Sequence, residues 1–120
     1  MSRLTMILFS LKKGGAGIAA NKFLKLFSDK IPNFQVSSIT QDAAGLNHFI
    51  KRLISLALSK FQYDSNPTKH SLNLFSHKPV TDSFKKHKYV SYHFHWITND
   101  TLSIFDFDKI PSGSIITLHD

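Results

Sequence analysis

Along these 120 residues the spacing of apolar positions switches repeatedly between the rhythm of a strand and that of a helix. Met6-Ile7-Leu8-Phe9-Ser10-Leu11 is a nearly unbroken apolar run bounded by Lys12-Lys13-Gly14-Gly15. Such a run predicts a strand covered on both faces. From Ile18 through Phe23, Leu24 and Phe27 the apolar residues recur every three or four positions, predicting a helix closed by Pro32-Asn33. Residues 34–40 alternate and are β-branched, as a second strand would be. Leu46, Phe49, Ile50, Leu53, Ile54, Ala57, Leu58 and Phe61 then fall on one face of a helix, with Lys51, Arg52, Ser55, Ser59 and Lys60 mostly on the other. This is the clearest helical pattern in the chain, and a stripe this wide predicts packing of the apolar face against its own sheet.

The remainder is less regular. Residues 63–70 are polar with Asn66-Pro67 and predict a loop, residues 71–75 a short extended piece, and residues 80–86 a short helix. The aromatic and β-branched residues 89–97 predict a strand, followed by a helix over residues 100–107. Pro111-Ser112-Gly113 turns the chain into a final strand over residues 114–118. Strands alternating with helices predict an α/β fold, a partial Rossmann-like open parallel sheet with flanking helices. There is no repeat, heptad or linker to divide it, so the expectation is one domain spanning residues 1–120. Open sheets of this class place their chemistry at the carboxyl ends of the strands. The sequence stops at such an end, on His119-Asp120, and is read as the amino-terminal piece of a larger protein.

Composition narrows the chemistry. The sequence has no cysteine, which excludes disulfides and thiolate metal sites. The first residues are too short an apolar run for a secretion signal, and no later stretch approaches the ~20 apolar residues of a span. The expected compartment is the cytoplasm. A formal net charge of +7 favours partners that carry phosphate: nucleic acid, an anionic bilayer or a nucleotide-linked substrate. The lysines are scattered rather than gathered on one element, which argues against nucleic acid.

Three short elements carry candidate chemistry. Lys12-Lys13-Gly14-Gly15-Ala16-Gly17 lies between a strand and a helix, where absent side chains let a ligand approach the backbone and the helix dipole favours an anion, phosphate or pyrophosphate. The stretch Gly15-Ala16-Gly17-Ile18-Ala19-Ala20, with Asp42 downstream, also satisfies a dinucleotide-binding pattern, whereas a Walker lysine is missing. In His93-Phe94-His95-Trp96 the two histidines share a strand face. His95, nearer the carboxyl end, is expected to line the cleft, and no metal is expected. His119 can donate to a developing negative charge and Asp120 can accept from a hydroxyl or act as a base.

Taken in this order, Gly14-Gly15-Ala16, the strand Tyr92-His93-Phe94-His95-Trp96-Ile97, and Ile110-Pro111 leading into Ile115-Ile116-Thr117-Leu118-His119-Asp120 resemble the amino-terminal domain of retaining, family 4 GT-B glycosyltransferases. The resemblance spans nearly the whole chain. It implies a half-domain of a GT-B fold and transfer of a sugar from a nucleotide-sugar donor to a polysaccharide or lipid-linked acceptor in surface polysaccharide synthesis, without a further cofactor. It implies that Gly14, Gly15 and Ala16 face the cleft near acceptor and diphosphate, that His95 and Trp96 contribute to binding, and that His119 and Asp120 act at the transferred sugar. Relatives continue into a Thr-Gly-Gly-Cys-His segment, and most donor recognition belongs to a second domain with a paired-glutamate motif. Neither is present here, so the chain is expected to be inactive alone. In enzymes of this kind that use lipid-linked acceptors, a basic face of this domain can rest on an anionic membrane. A dinucleotide-binding domain and a basic nucleic-acid-binding module are the rival classes.

Overall fold

A computed structural model describes residues 2–62, 72–86 and 89–118. The chain is α/β, built on a four-stranded, all-parallel open sheet with helices against it. The strands are β1 (Ser2–Leu8), β2 (Phe34–Ile39), β3 (Val90–His95) and β4 (Ile115–Thr117), in the spatial order β2-β1-β3-β4. The helices are α1 (Gly14–Lys30), α2 (Leu46–Ser59) and α3 (Lys78–Lys86), with a 3₁₀ helix at Ile104–Lys109.

The apolar run near the start becomes the inner strand. β1 pairs with β2 from Ser2 opposite Phe34 to Ile7 opposite Ile39, and with β3 from Arg3 opposite Val90 to Leu8 opposite His95. Leu4 through Leu8 are all buried, as expected for a parallel strand covered on both faces. The two faces gather separate cores. Leu4, Met6 and Leu8 pack with Ala20, Leu24 and Phe27 of α1. On the opposite face, Ile7, Tyr92 and Phe94 pack with Val80 and Phe84 of α3 and with Leu102. The Tyr92 hydroxyl, carried into that second core, donates to the Ser83 carbonyl at 2.9 Å and so satisfies its polar atom.

Several expectations need correction. β1 occupies Ser2–Leu8 rather than residues 6–11, because the chain leaves the sheet after Leu8, where its neighbours also end. α1 begins at Gly14, so the glycines form its first turn instead of preceding it. Residues 72–75 form no strand. No α-helix spans residues 100–107: Asn99 and Asp100 both take φ of 58°, which breaks helical continuity, and a 3₁₀ helix starts only after Ser103, whose hydroxyl accepts from the Phe105 N–H. β4 is three residues long at the sheet edge, with Ile115 and Ile116 both exposed, not a buried strand. The loop expected at residues 63–70 lies outside the described residues.

The largest departure is α2. Its buried residues are His48, Ser55 and Ser59, while Leu46, Phe49, Ile50, Leu53, Ile54, Leu56 and Leu58 are exposed. The helix packs through its small polar face and turns the predicted core stripe outward. The reason lies in what it packs against: the polar loops beyond the carboxyl ends of β2 and β3, not an apolar sheet face. The His48 ring shares a hydrogen bond of 3.1 Å with Gln41, and Ser55 donates to the Asp100 carboxylate at 2.9 Å.

Candidate functional site

A cleft of about 370 Å³ opens at the carboxyl end of β1. Its floor is Leu8, Phe9 and Ser10, one side is Lys13 and the first turn of α1, and the other is Trp96 at the end of β3. Local chemistry explains the shape. Lys13, the residue preceding α1, is extended and provides no side-chain cap, and the first turn carries no acidic residue. The N–H groups of residues 14–17 therefore have no partner within the helix, and the positive end of the helix dipole is uncompensated.

The glycines in this turn play different parts. Gly14 has φ of 75°, a conformation that disfavours side chains. At Gly17 a Cβ would stand 2.5 Å from the Ser10 carbonyl oxygen, so this glycine serves the close approach of α1 to the chain after β1. A Cβ on Gly15 would meet nothing within 4 Å, so the fold does not require glycine there. Of the three, Gly15 is the one whose missing side chain leaves room beside the cleft and nothing else.

The loop is braced from β2. Asp42 accepts from the Ser10 hydroxyl at 2.6 Å and from the Leu11 N–H at 3.3 Å, and Ser10 in turn accepts from the Lys12 N–H at 3.0 Å. The Ser10 bond is the main reason that the Asp42 carboxyl titrates below the usual carboxylate range. The Gln41 N–H adds a backbone bond to the Phe9 carbonyl at 2.9 Å. Asp42 is thus occupied in shaping the glycine turn. Its place downstream of the glycines in the dinucleotide pattern gives no sign of this bracing role.

Trp96 leaves β3 with φ of 56°, an uncommon conformation for a bulky residue and a local strain at the cleft rim. His95 stands apart from the cleft. It is fully buried on the α1 side of the sheet, under the Phe23 ring at 5.9 Å between centroids, with its Nε2 3.2 Å from His93 Nδ1. His93 reaches Thr117 of β4 at 2.7 Å, so the two histidines that share a face tie β3 to the edge strand. His119 and Asp120 lie outside the described residues. Among the described residues no group of three or more metal-ligating side chains stands together.

A polar network that the sequence did not announce lies beside this region. Gln41 donates to the Asn99 carbonyl at 3.0 Å and to the Thr101 hydroxyl at 2.8 Å while it bonds His48. Asp100 accepts from Ser55 and, at 3.2 Å, from the Phe75 N–H. The ring of His77 packs against that of His48 with 4.8 Å between centroids, and both line a second, shallower cleft between the starts of α2 and α3. Burial pushes both imidazoles below their ordinary value of 6.5, and for His48 the neighbouring His77 and Arg52 charges add to the effect. The only sequence signal for this network is the polar cluster Thr98-Asn99-Asp100-Thr101, half of which falls in the helix predicted over residues 100–107.

No family model, curated protein or solved structure matches this chain. Among the described residues no helix is long and apolar enough to cross a membrane.

Proposed function

We propose that the chain supplies the glycine-loop wall of a cytoplasmic glycosyltransferase of the GT-B kind, which takes a nucleotide-sugar donor and a sugar or lipid-linked acceptor. The observation that supports this most is the cleft of about 370 Å³ at the carboxyl end of β1, where an uncapped helix start, Lys13 and an aromatic rim meet. Unpaired N–H groups and a helix dipole suit a diphosphate, and an indole face suits a sugar or a base. In this reading residues 14–16 receive the diphosphate or the acceptor hydroxyl, Trp96 borders the sugar, and His119 and Asp120 act at the transferred group. The resemblance assigns most donor recognition to a second domain, so the 120 residues by themselves are expected to bind weakly and to transfer nothing. Closing both partners in one cleft is worth roughly 7–11 kcal/mol of the barrier, and one wall forfeits most of it.

The dinucleotide reading requires Asp42 to accept from a ribose in addition to Ser10 and Leu11. The test is calorimetric titration of the purified chain with a panel of nucleoside-diphosphate sugars, NADH and a single-stranded RNA. Binding of one or more nucleotide sugars, competed by pyrophosphate and without turnover, is expected. Tighter binding of NADH or RNA than of every nucleotide sugar would overturn the proposal.

A further inference from the structure

The second cleft, of about 620 Å³, lies between the starts of α2 and α3 and shares no lining residue with the one at the glycine turn. Two helices thus bring their positive ends to one space. Neither carries an acidic residue in its first turn. Gly45, which precedes α2, is extended and has no side chain to cap the helix, so the N–H groups of residues 46–48 have no partner within it. Among the described residues no aspartate or glutamate lines the cleft, whereas Lys51 and Lys78 both do. Lys78 is shared with Asp82 of its own helix, and Lys51 lies against the Phe75 ring.

A side chain inside the cleft points to the same kind of guest. His77 is only 7% exposed, and its place is fixed: its N–H donates to the Thr101 carbonyl at 3.1 Å, and its carbonyl accepts from the Val80 N–H at 2.9 Å. Among the described residues its Nδ1 is buried without a hydrogen-bond partner. A buried nitrogen in that state is costly, and a ligand atom bonded to it removes the cost. The neighbouring His48 ring is already engaged, through Nε2, with Gln41. Both nitrogens of a charged imidazole are donors, as are the helix N–H groups and the lysine. The lining therefore gathers donors and positive charge with no carboxylate set against them.

We propose that the cleft between α2 and α3 binds a tetrahedral oxyanion, phosphate free or as the monoester of a small molecule. The N–H groups at the start of α2, His77 and Lys51 are its donors. A phosphate group is small beside 620 Å³, which leaves room for the rest of an ester. The site uses no residue of the glycosyltransferase reading and stands without it.

The test is NMR of the amides and imidazoles of the purified chain, titrated at constant pH and ionic strength with inorganic phosphate and with phenyl phosphate, chloride serving as the control. Saturable shifts are expected at the amides of residues 46–48 and at the His77 ring. Whichever titrant binds more tightly identifies the source that the site serves. Gly45→Asp is the decisive variant. Its Cβ would meet nothing within 4 Å, and the extended backbone suits a capping carboxylate, which would accept from the same N–H groups and repel the oxyanion. Binding should weaken at least about tenfold while the urea midpoint holds or rises. Lys51→Gln should weaken it about threefold to fivefold. Absence of saturable shifts at these positions, or the same shifts with chloride, would overturn the proposal. So would binding unchanged in Gly45→Asp, or in Lys51→Gln should the first variant not fold. Shifts at residues 14–17 report the glycine turn separately, so failure of one site is distinguishable from failure of the other.

Discussion

α1 and α2 follow successive strands and both carry an apolar stripe, yet they dock in opposite senses. α1 turns Gly17, Ala20, Leu24 and Phe27 toward the sheet, where Leu4, Met6 and Leu8 wait. α2 turns His48, Ser55 and Ser59 inward and leaves its Phe, Leu and Ile residues in the open. The difference lies in the surface each helix meets. α1 lies across an apolar strand face, so burial of hydrocarbon decides its rotation. α2 lies beyond the strand ends, over Gln41, Asp100 and their neighbours, where unpaired buried polar groups would be costly, so hydrogen bonding decides. A hydrophobic stripe tells which side of a helix is apolar. It does not tell whether a layer of the fold is available to cover it.

The contrast can be broken from the α1 side first. Gly17→Ala forces a Cβ against the Ser10 carbonyl and should cost about 1–3 kcal/mol in urea unfolding, whereas Gly15→Ala, with open space at its Cβ, should cost little. Equal effects at the two positions would mean that α1 does not approach the β1 loop as described.

On the α2 side the larger effect belongs to a polar residue. Ser55→Ala removes a donor from the buried Asp100 carboxylate and should destabilise by about 1–2 kcal/mol, measured the same way. A neutral result would imply that the inward face of α2 is not held by this bond.

Acid should act on the same interface. His48 and His77 are held below 6.5 in the folded chain, so below that value the unfolded chain binds more protons and stability falls. Above 6.5 their contribution is complete and further increase in pH adds nothing from them. The urea midpoint should therefore be lower at about pH 5.5 than at about pH 7.5, and His48→Gln combined with His77→Asn should flatten the slope. Asp42 and Asp106 are depressed carboxylates, and their contribution fades only below 3.8, in a separate window.

The smallest effect is the most discriminating for the comparison. Leu53→Gln, on the outward face, should change stability by no more than about 0.5 kcal/mol. A loss of several kcal/mol would show that this stripe is buried after all.

These contrasts also mark how far the sequence reading reached. The α/β class, the alternation of elements from β1 through α2, and the extent of α2 follow from period alone, because a buried parallel strand and an amphipathic helix leave distinct spacings. The region after β3 did not follow, because Asn99 and Asp100 in the left-handed region interrupt what looks like a helical pattern. At the site, the spacing located the glycine turn between strand and helix. It gave no means of sorting Gly17, which packs, from Gly15, which leaves space. The position of His95 beneath Phe23 was equally invisible, since a two-residue period says that His93 and His95 share a face and not which helix covers it. Asp42 entered only as the acidic residue of a dinucleotide-binding pattern, because only the folded loop brings it to Ser10.

Trp96 is the single tryptophan of the chain and lies at the rim of the cleft, so its fluorescence reports the glycine turn directly. Titration of the purified chain with pyrophosphate, and then with the nucleoside-diphosphate sugar that binds best, should give a saturable change in this emission. In Gly15→Val, whose Cβ would meet nothing within 4 Å and whose methyl groups would fill the space beside the turn, the change should be lost or weakened at least tenfold, with the urea midpoint measured alongside. A saturable change of equal affinity in both proteins, or none in the parent, would contradict the assignment of the helix start as an anion-accepting wall.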